Sequence, residues 1–239
     1  METSFVSFTT NNNYCQLSEI MIKSLNVFSK HKIILYCVDF DKPNYYDKYD
    51  NLICKRIDWK NKFNIYYLKP LIILDAITNM GVEKGIYIES DDIATKNIDN
   101  LFKECERITH YPLCPIHPRD PNNQCHVMRR LRIKNKTMPY VHAHVVFTNK
   151  TKSFIEEWYA TCIDFGNGVR ANWDETVLNT LFWKHNINDY INYFYDPYYV
   201  NFFNKEWMED EEKINKTYMF HGCKDLKKAQ EILEKMEKN

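Results

Sequence analysis

Between Glu2 and Ile88 the apolar positions switch repeatedly between two periods. Glu2 to Thr9, with Phe5, Val6 and Phe8, is rich in β-formers and predicts a first strand. From Asn12 to Ser29 the apolar residues Tyr14, Leu17, Met21, Leu25 and Phe28 recur at the spacing of one helix face. Ile33 to Val38 (IILYCV) is apolar without a break, as in a strand buried on both faces. Asp39 to Lys48 is polar around Pro43 and predicts a loop; Leu52 to Ile57 predicts a third strand. Phe63 to Met80 predicts a second helix, with Pro70 in its first turn and Gly81 just past its end. Gly85 to Ile88 is the next strand. This alternation implies an α/β fold whose mixed, mostly parallel sheet is flanked by helices.

The second half is less regular. His110 to Lys136 carries Pro112, Pro115, Pro118 and Pro121 and predicts mostly loop. Val141 to Thr148 predicts a strand. Ser153 with Glu156 forms the pattern of a capping box for a helix reaching Asp164. Phe165-Gly166-Asn167-Gly168 breaks the chain, and Asn172 with Glu175 repeats the helix-start pattern ahead of the apolar Val177, Leu178, Leu181 and Phe182. Tyr193 to Phe203 is aromatic and predicts β or irregular structure, suited to an aromatic core or to stacking on sugar rings. Asp225 to Lys238 predicts a charged amphipathic helix. With no repeat, low-complexity segment or linker, the 239 residues are expected to form a single domain.

Charge narrows the partners. Lys+Arg and Asp+Glu are both 32, and the pI is about 7.1, so nothing favours nucleic acid or an anionic membrane. No basic leader precedes an apolar core, and no apolar run reaches membrane-spanning length. Eight scattered cysteines without a small-domain disulfide pattern read as reduced thiols in a cytoplasmic setting. The abundance of Asn, Ile, Lys and Tyr is that of an AT-rich coding sequence, as in some large DNA viruses and microbes.

The segment GIYIESDDIATKNIDNLF, Gly85 to Phe102, carries the most chemistry. Its apolar run Ile86-Tyr87-Ile88 enters three acids, Glu89, Asp91 and Asp92. Carboxylates at a strand end cost free energy unless a positive group meets them. On an extended segment Glu89 and Asp91 share one face, at the strand end where open α/β sheets bind ligands. Such oxygen donors suit Mn2+ or Mg2+. The plainer alternative is a solvated acidic turn, with Asp92 capping the next helical turn.

Glu89-Ser90-Asp91 followed by Asn97-Ile98-Asp99-Asn100-Leu101-Phe102 resembles the Asp-x-Asp motif of GT-A-fold, nucleotide-sugar-dependent glycosyltransferases of the glycogenin/galactosyltransferase type, with Glu in the first position. Three further stretches are similar and fall in the family's order. Thr9-Thr10-Asn11-Asn12-Asn13-Tyr14 looks like the segment that wraps the base, with Tyr14 stacking on it. Trp173-Asp174-Glu175-Thr176-Val177-Leu178-Asn179 looks like the Asp-Gln/Glu-x-x-Leu-Asn segment beside the donor sugar. His221-Gly222-Cys223-Lys224 looks like a compressed form of the terminal His-x-x-Gly-x-x-Lys element. The resemblance implies a metal held by Glu89, Asp91 and His221. It places Thr9, Thr10, Asn11, Tyr14, Lys69, Ser90, Asn179, Gly222 and Lys224 on substrate, and makes Asp174 and Glu175 the catalytic acids. It implies a UDP- or GDP-sugar donor, UDP favoured, and a carbohydrate, glycoprotein or other hydroxyl acceptor. Residues 1–102 would then be the nucleotide half and 103–239 the acceptor half.

Two rival readings stand beside it. One is an Asp-x-Asp phosphatase or phosphotransferase, which needs an aspartate nucleophile where this chain has Glu89. The other is a nucleotide- or glycan-binding module without turnover. His142-Ala143-His144 with Cys125-His126, and Cys114 with His117, allow a zinc site but match no standard zinc spacing, and packed or acceptor-facing side chains are the plainer reading. Arg129, Arg130, Arg132, Lys134 and Lys136 could hold an anionic acceptor or phosphates, with a solvated loop the plainer reading in a chain of zero net charge.

Overall fold

The computed structural model describes residues 2–10, 13–59, 64–117, 125–166, 173–193 and 210–238. Strands β1 (Thr3–Thr9), β2 (Lys32–Val38), β3 (Leu52–Ile57) and β4 (Lys84–Tyr87) are mutually parallel, and β6 (Val146–Thr148) runs antiparallel to β4. Their order in the sheet is β3-β2-β1-β4-β6. A second, two-stranded sheet pairs β5 (Ile93–Ala94) with β7 (Met219–Phe220).

Both faces of the large sheet are covered, which explains the unbroken apolar runs. Phe5, Ile33, Leu35 and Ile86 face one core with Leu17, Met21 and Leu25 of helix α1 (Asn13–Phe28) and Leu233 of the C-terminal helix α8 (Leu226–Lys238). Val6, Ile34, Tyr36 and Tyr87 face the other. There they meet Ile72 and Ile73 of α2 (Leu68–Asn79), Trp158 of α5 (Lys152–Gly166) and Leu178 of α6 (Asp174–Lys184). Each fully buried Leu, Ile or Phe removes apolar surface worth about 1.5–3 kcal/mol. Three short helices, α3 (Leu101–Glu104), α4 (Cys125–Arg130) and α7 (Glu211–Lys216), lie between the longer elements.

Most predicted elements are present with boundaries shifted by a residue or two, and several differ for identifiable reasons. Tyr46 anchors a 3-10 turn, Asn44–Lys48, inside the predicted polar loop; its buried hydroxyl donates to the Cys15 carbonyl at 2.8 Å. Ser153 is no N-cap, because a 3-10 turn at Asn149–Thr151 runs directly into α5 and leaves Ser153 inside the helix. The strand expected over Val141–Thr148 shrinks to Val146–Thr148. Residues 142–144 leave the ladder, which lets their histidines turn toward acids at the C-terminal end of the sheet. Gly85 is required where β4 meets β6: a Cβ there would lie 2.1 Å from the Phe147 ring. The described cysteines are free thiols, as expected. Among the described residues no helix is long and apolar enough to cross a membrane. Asn11, Asn12, Asn172 and residues 194–203 of the aromatic run lie outside the described residues, as do the side chains of Cys125 and His126.

Candidate active site

A cavity of about 510 Å³ opens at the C-terminal ends of β1 and β4. The chain leaves β4 in a turn rather than continuing extended, with Asp92 N–H donating to the Glu89 carbonyl at 3.1 Å. That turn directs Glu89, Ser90 and Asp91 to the cavity and sends Asp92 inward. Pairing of β5 with β7 brings the C-terminal segment alongside, and Cys223 N–H donates to the Asp91 carbonyl at 3.2 Å. His221, Gly222 and Lys224 therefore face the same cavity from sequence positions more than a hundred residues away. Gly222 has φ +80°, a left-handed conformation that costs other residues about 1–2 kcal/mol.

Two of the acids meet one buried cation. Lys69, from the first turn of α2, donates to Glu89 Oε1 at 2.8 Å and lies 3.0 Å from Asp174 Oδ2. Burial opposes its charge, but Asp174 and Glu89 together hold its pKa well above the ordinary value. Burial also works against Glu89, yet Lys69, with His144 and His221, outweighs it and keeps that carboxyl ionised. Asp174 is 3% exposed, and there burial wins over the same lysine, pushing its pKa up to about 6. Burial raises Glu175 and Asp91 as well. Glu89, Asp91, Asp92, Asp174 and Glu175 thus gather at one end of the sheet, and Lys69 pairs with Glu89 and Asp174 while His221 meets Asp91 and Asp92.

Asp92 is a participant that the sequence reading assigned to capping. It is 1% exposed and accepts from Glu89 N at 2.6 Å, from His221 Nδ1 at 2.8 Å and from His144 Nε2 at 2.9 Å. Burial disfavours its charge, but His144 and His221 outweigh burial and lower its pKa. In return, and despite burial, Asp92 first and then Asp91 and Glu89 raise His221 to about 10. A bound metal would replace the Nε2 proton of this ring while Nδ1–H stays on Asp92, the arrangement a carboxylate imposes on a metal-ligating histidine.

Glu89, Asp91 and His221 each present a donor atom, and these lie within 4.8 Å of one another. Two carboxylates and an imidazole are a donor set that fits a divalent cation. Asp92, His144 and His221 form a second such group, and His117, His142 and Glu175 a third.

The other expected residues divide. Thr10, Tyr14, Lys69, Ser90, Asp174, Glu175, Gly222 and Lys224 line the cavity, with Tyr14, Tyr66 and Trp173 as exposed aromatic walls. Thr9 does not: it is 1% exposed, at the end of β1, and its hydroxyl donates to the Thr10 carbonyl. Asn179 does not either. Its amide is consumed internally, accepting from Val141 N and donating to the carbonyls of Val141 and Glu175 at 2.8–2.9 Å, so it clamps α6 to the segment before His142. The basic cluster is also away from the cavity. Arg130 lies over the Phe165 ring and Lys136 over that of Trp183.

Comparison with solved structures gives the frame for this geometry. The chain superposes on the galactosyltransferase LgtC, solved in complex with donor and acceptor sugar analogs, with TM-score 0.65, 14% identity, and coverage of 98% of this chain and 95% of that one. The fold is the GT-A glycosyltransferase fold. A structure of an active-site Gln-to-Glu mutant of LgtC matches with TM-score 0.61 and 16% identity over 97% of this chain and 95% of its own. No protein-family model and no curated protein sequence matches the chain. At this identity the likeness carries the fold, and function has to be argued from the cavity.

Proposed function

We propose that the chain is a metal-dependent glycosyltransferase that moves a sugar from a nucleotide-diphosphate donor, a UDP-sugar in preference to GDP, to a hydroxyl of a carbohydrate or glycoprotein. The observation that carries this reading is the convergence of Glu89, Asp91 and His221 within 4.8 Å in a cavity that Lys224 also lines. Glu89, Asp91 and His221 would hold Mn2+ or Mg2+. Such an ion bound to a diphosphate stabilises charge that develops as the sugar leaves.

The chain's own residues supply the rest. Lys224, exposed at the cavity edge, is suited to the diphosphate, and Tyr14 offers a ring for the base, with Thr10 beside it. Asp174 and Glu175 face the sugar, where carboxylates stabilise an oxocarbenium-like centre or accept the acceptor's proton. Lys69 keeps Glu89 and Asp174 in place. We also read the chain as one domain, because β6 and β7 from residues 103–239 pair with β4 and β5 from residues 1–102. A phosphatase reading is disfavoured: its nucleophile is an aspartate, and this chain has Glu89 in that place.

The test is calorimetric titration of UDP and GDP, with and without Mn2+, into the wild type and Asp91→Asn. Metal-dependent binding of UDP that Asp91→Asn loses is expected. Absence of binding by either nucleotide with metal present would overturn the proposal.

A further inference from the structure

We propose that His117, His142 and Glu175 form a second divalent-cation site, of zinc type, in the wall of the same cavity. It uses no ligand of the Glu89–Asp91–His221 group. His142 Nδ1 lies 3.3 Å from Glu175 Oε2, and His117 Nε2 lies 4.0 Å from Glu175 Oε1. All three donor atoms fall within 4.8 Å of one another. Ligands held about 2.1 Å from a tetrahedral zinc sit roughly 3.4 Å apart, a value that the 3.3 and 4.0 Å spacings bracket. The two imidazoles face one carboxylate side by side, ring centroids 4.3 Å apart. Two imidazoles and one carboxylate, leaving a fourth position open, is a donor set of catalytic zinc rather than of magnesium or calcium.

The backbone holds these ligands in place. Ile116 and Val141 form an antiparallel bridge. Within it His117 N donates to the Tyr140 carbonyl at 2.8 Å and His142 N to the Pro115 carbonyl at 2.9 Å. Asn179 ties this pair to α6 by bonding Val141 through both its N–H and its carbonyl, and Glu175 through its carbonyl. Ala143 N donates to Glu175 Oε2 at 3.3 Å. Three ligands fixed by main-chain bonds make a pre-organised centre. His117 is 8% exposed and does not line the cavity, whereas His142 and Glu175 do. The open position therefore faces the cavity, where a hydroxyl or carboxylate of a bound acceptor would take it. With an ion seated, Glu175 acts as its ligand, and Asp174 is the carboxylate left to face the sugar. The rings of His142 and His221 are 5.3 Å apart, so the two centres are neighbours.

The probe is the metal alone, without nucleotide, so failure of the glycosyltransferase reading leaves this test intact. Chelator-stripped protein is titrated with Zn2+ and bound metal counted by elemental analysis. In His117→Ala, zinc affinity is expected to fall by more than about 100-fold, beyond the usual cost of losing an outer-sphere partner. Asp91→Asn is expected to retain that zinc. A second readout needs no histidine variant: Co2+ added to Asp91→Asn protein should give the intense visible band of tetrahedral cobalt. Unchanged zinc affinity in folded His117→Ala, loss of the zinc in Asp91→Asn, or absence of the cobalt band would each overturn the proposal.

Discussion

Asp174 shows what a buried carboxylate costs and what it is for. Its pKa of about 6, against an ordinary 3.8, means that the fold prefers the protonated acid even beside Lys69. Its contribution to stability is complete below about pH 4 and is lost as pH rises through 6, a change of about 3 kcal/mol. Asparagine keeps the shape and an acceptor for Lys69 but has no charge to bury. Metal-free Asp174→Asn should therefore be more stable than wild type at pH 7 by about 1–3 kcal/mol in urea unfolding, the gap closing below about pH 4, while sugar transfer is lost. A variant less stable than wild type at pH 7 would show that the lysine pair outweighs desolvation. The motif made Asp174 and Asp91 legible in the sequence, because their neighbours in the chain carry the signal. Asp92 was not legible: its role depends on His144 and His221, 52 and 129 residues away. His117 and His142 were unread as a pair for the same reason. Asn179 was legible as a motif position, yet its role is set by Val141, which only the packed structure brings to it.

The elements show why a very short sheet matters. The strands β5 and β7 have two residues each, and β7 ends immediately before His221. Thr95 extends the pairing, with its N–H bonding the Tyr218 carbonyl at 3.0 Å and its hydroxyl bonding the Thr217 carbonyl at 2.5 Å. On the other side, Ala94 N–H donates to Ser24 Oγ of α1 at 2.9 Å. The His221 end of the C-terminal segment is thus pinned to the acidic turn through Thr95, which itself does not line the cavity. Thr95→Val keeps the volume and strands the buried Thr217 carbonyl, at about 1–3 kcal/mol. Denaturant unfolding should show that loss, and Mn2+-dependent UDP binding should weaken with it. Unchanged nucleotide affinity in the destabilised variant would restrict the small sheet to a role in the core. β2 was readable from its apolar run and β1 from its β-formers; β5 and β7 are too short to carry a period, so only tertiary pairing reveals them.

At the scale of the whole molecule, the cavity joins two stretches of chain that are far apart in sequence. Glu89 and Asp91 follow β4, whereas His221 and Lys224 follow β7, and α8 then packs back against the core of α1. A ligand that spans this seam binds only when both sides are folded, so its binding free energy adds to global stability rather than to one loop. At one hundred times its dissociation constant, a metal–nucleotide pair adds about 2.7 kcal/mol. In a chain of this length each kcal/mol raises the melting temperature by about 2–4 °C, so Mn2+ with UDP should shift the transition by about 5–11 °C. Either component alone should give less, and Asp91→Asn should give almost none. A shift of the same size in Asp91→Asn would place the nucleotide elsewhere in the molecule. A larger shift with GDP than with UDP would keep the site and change the donor.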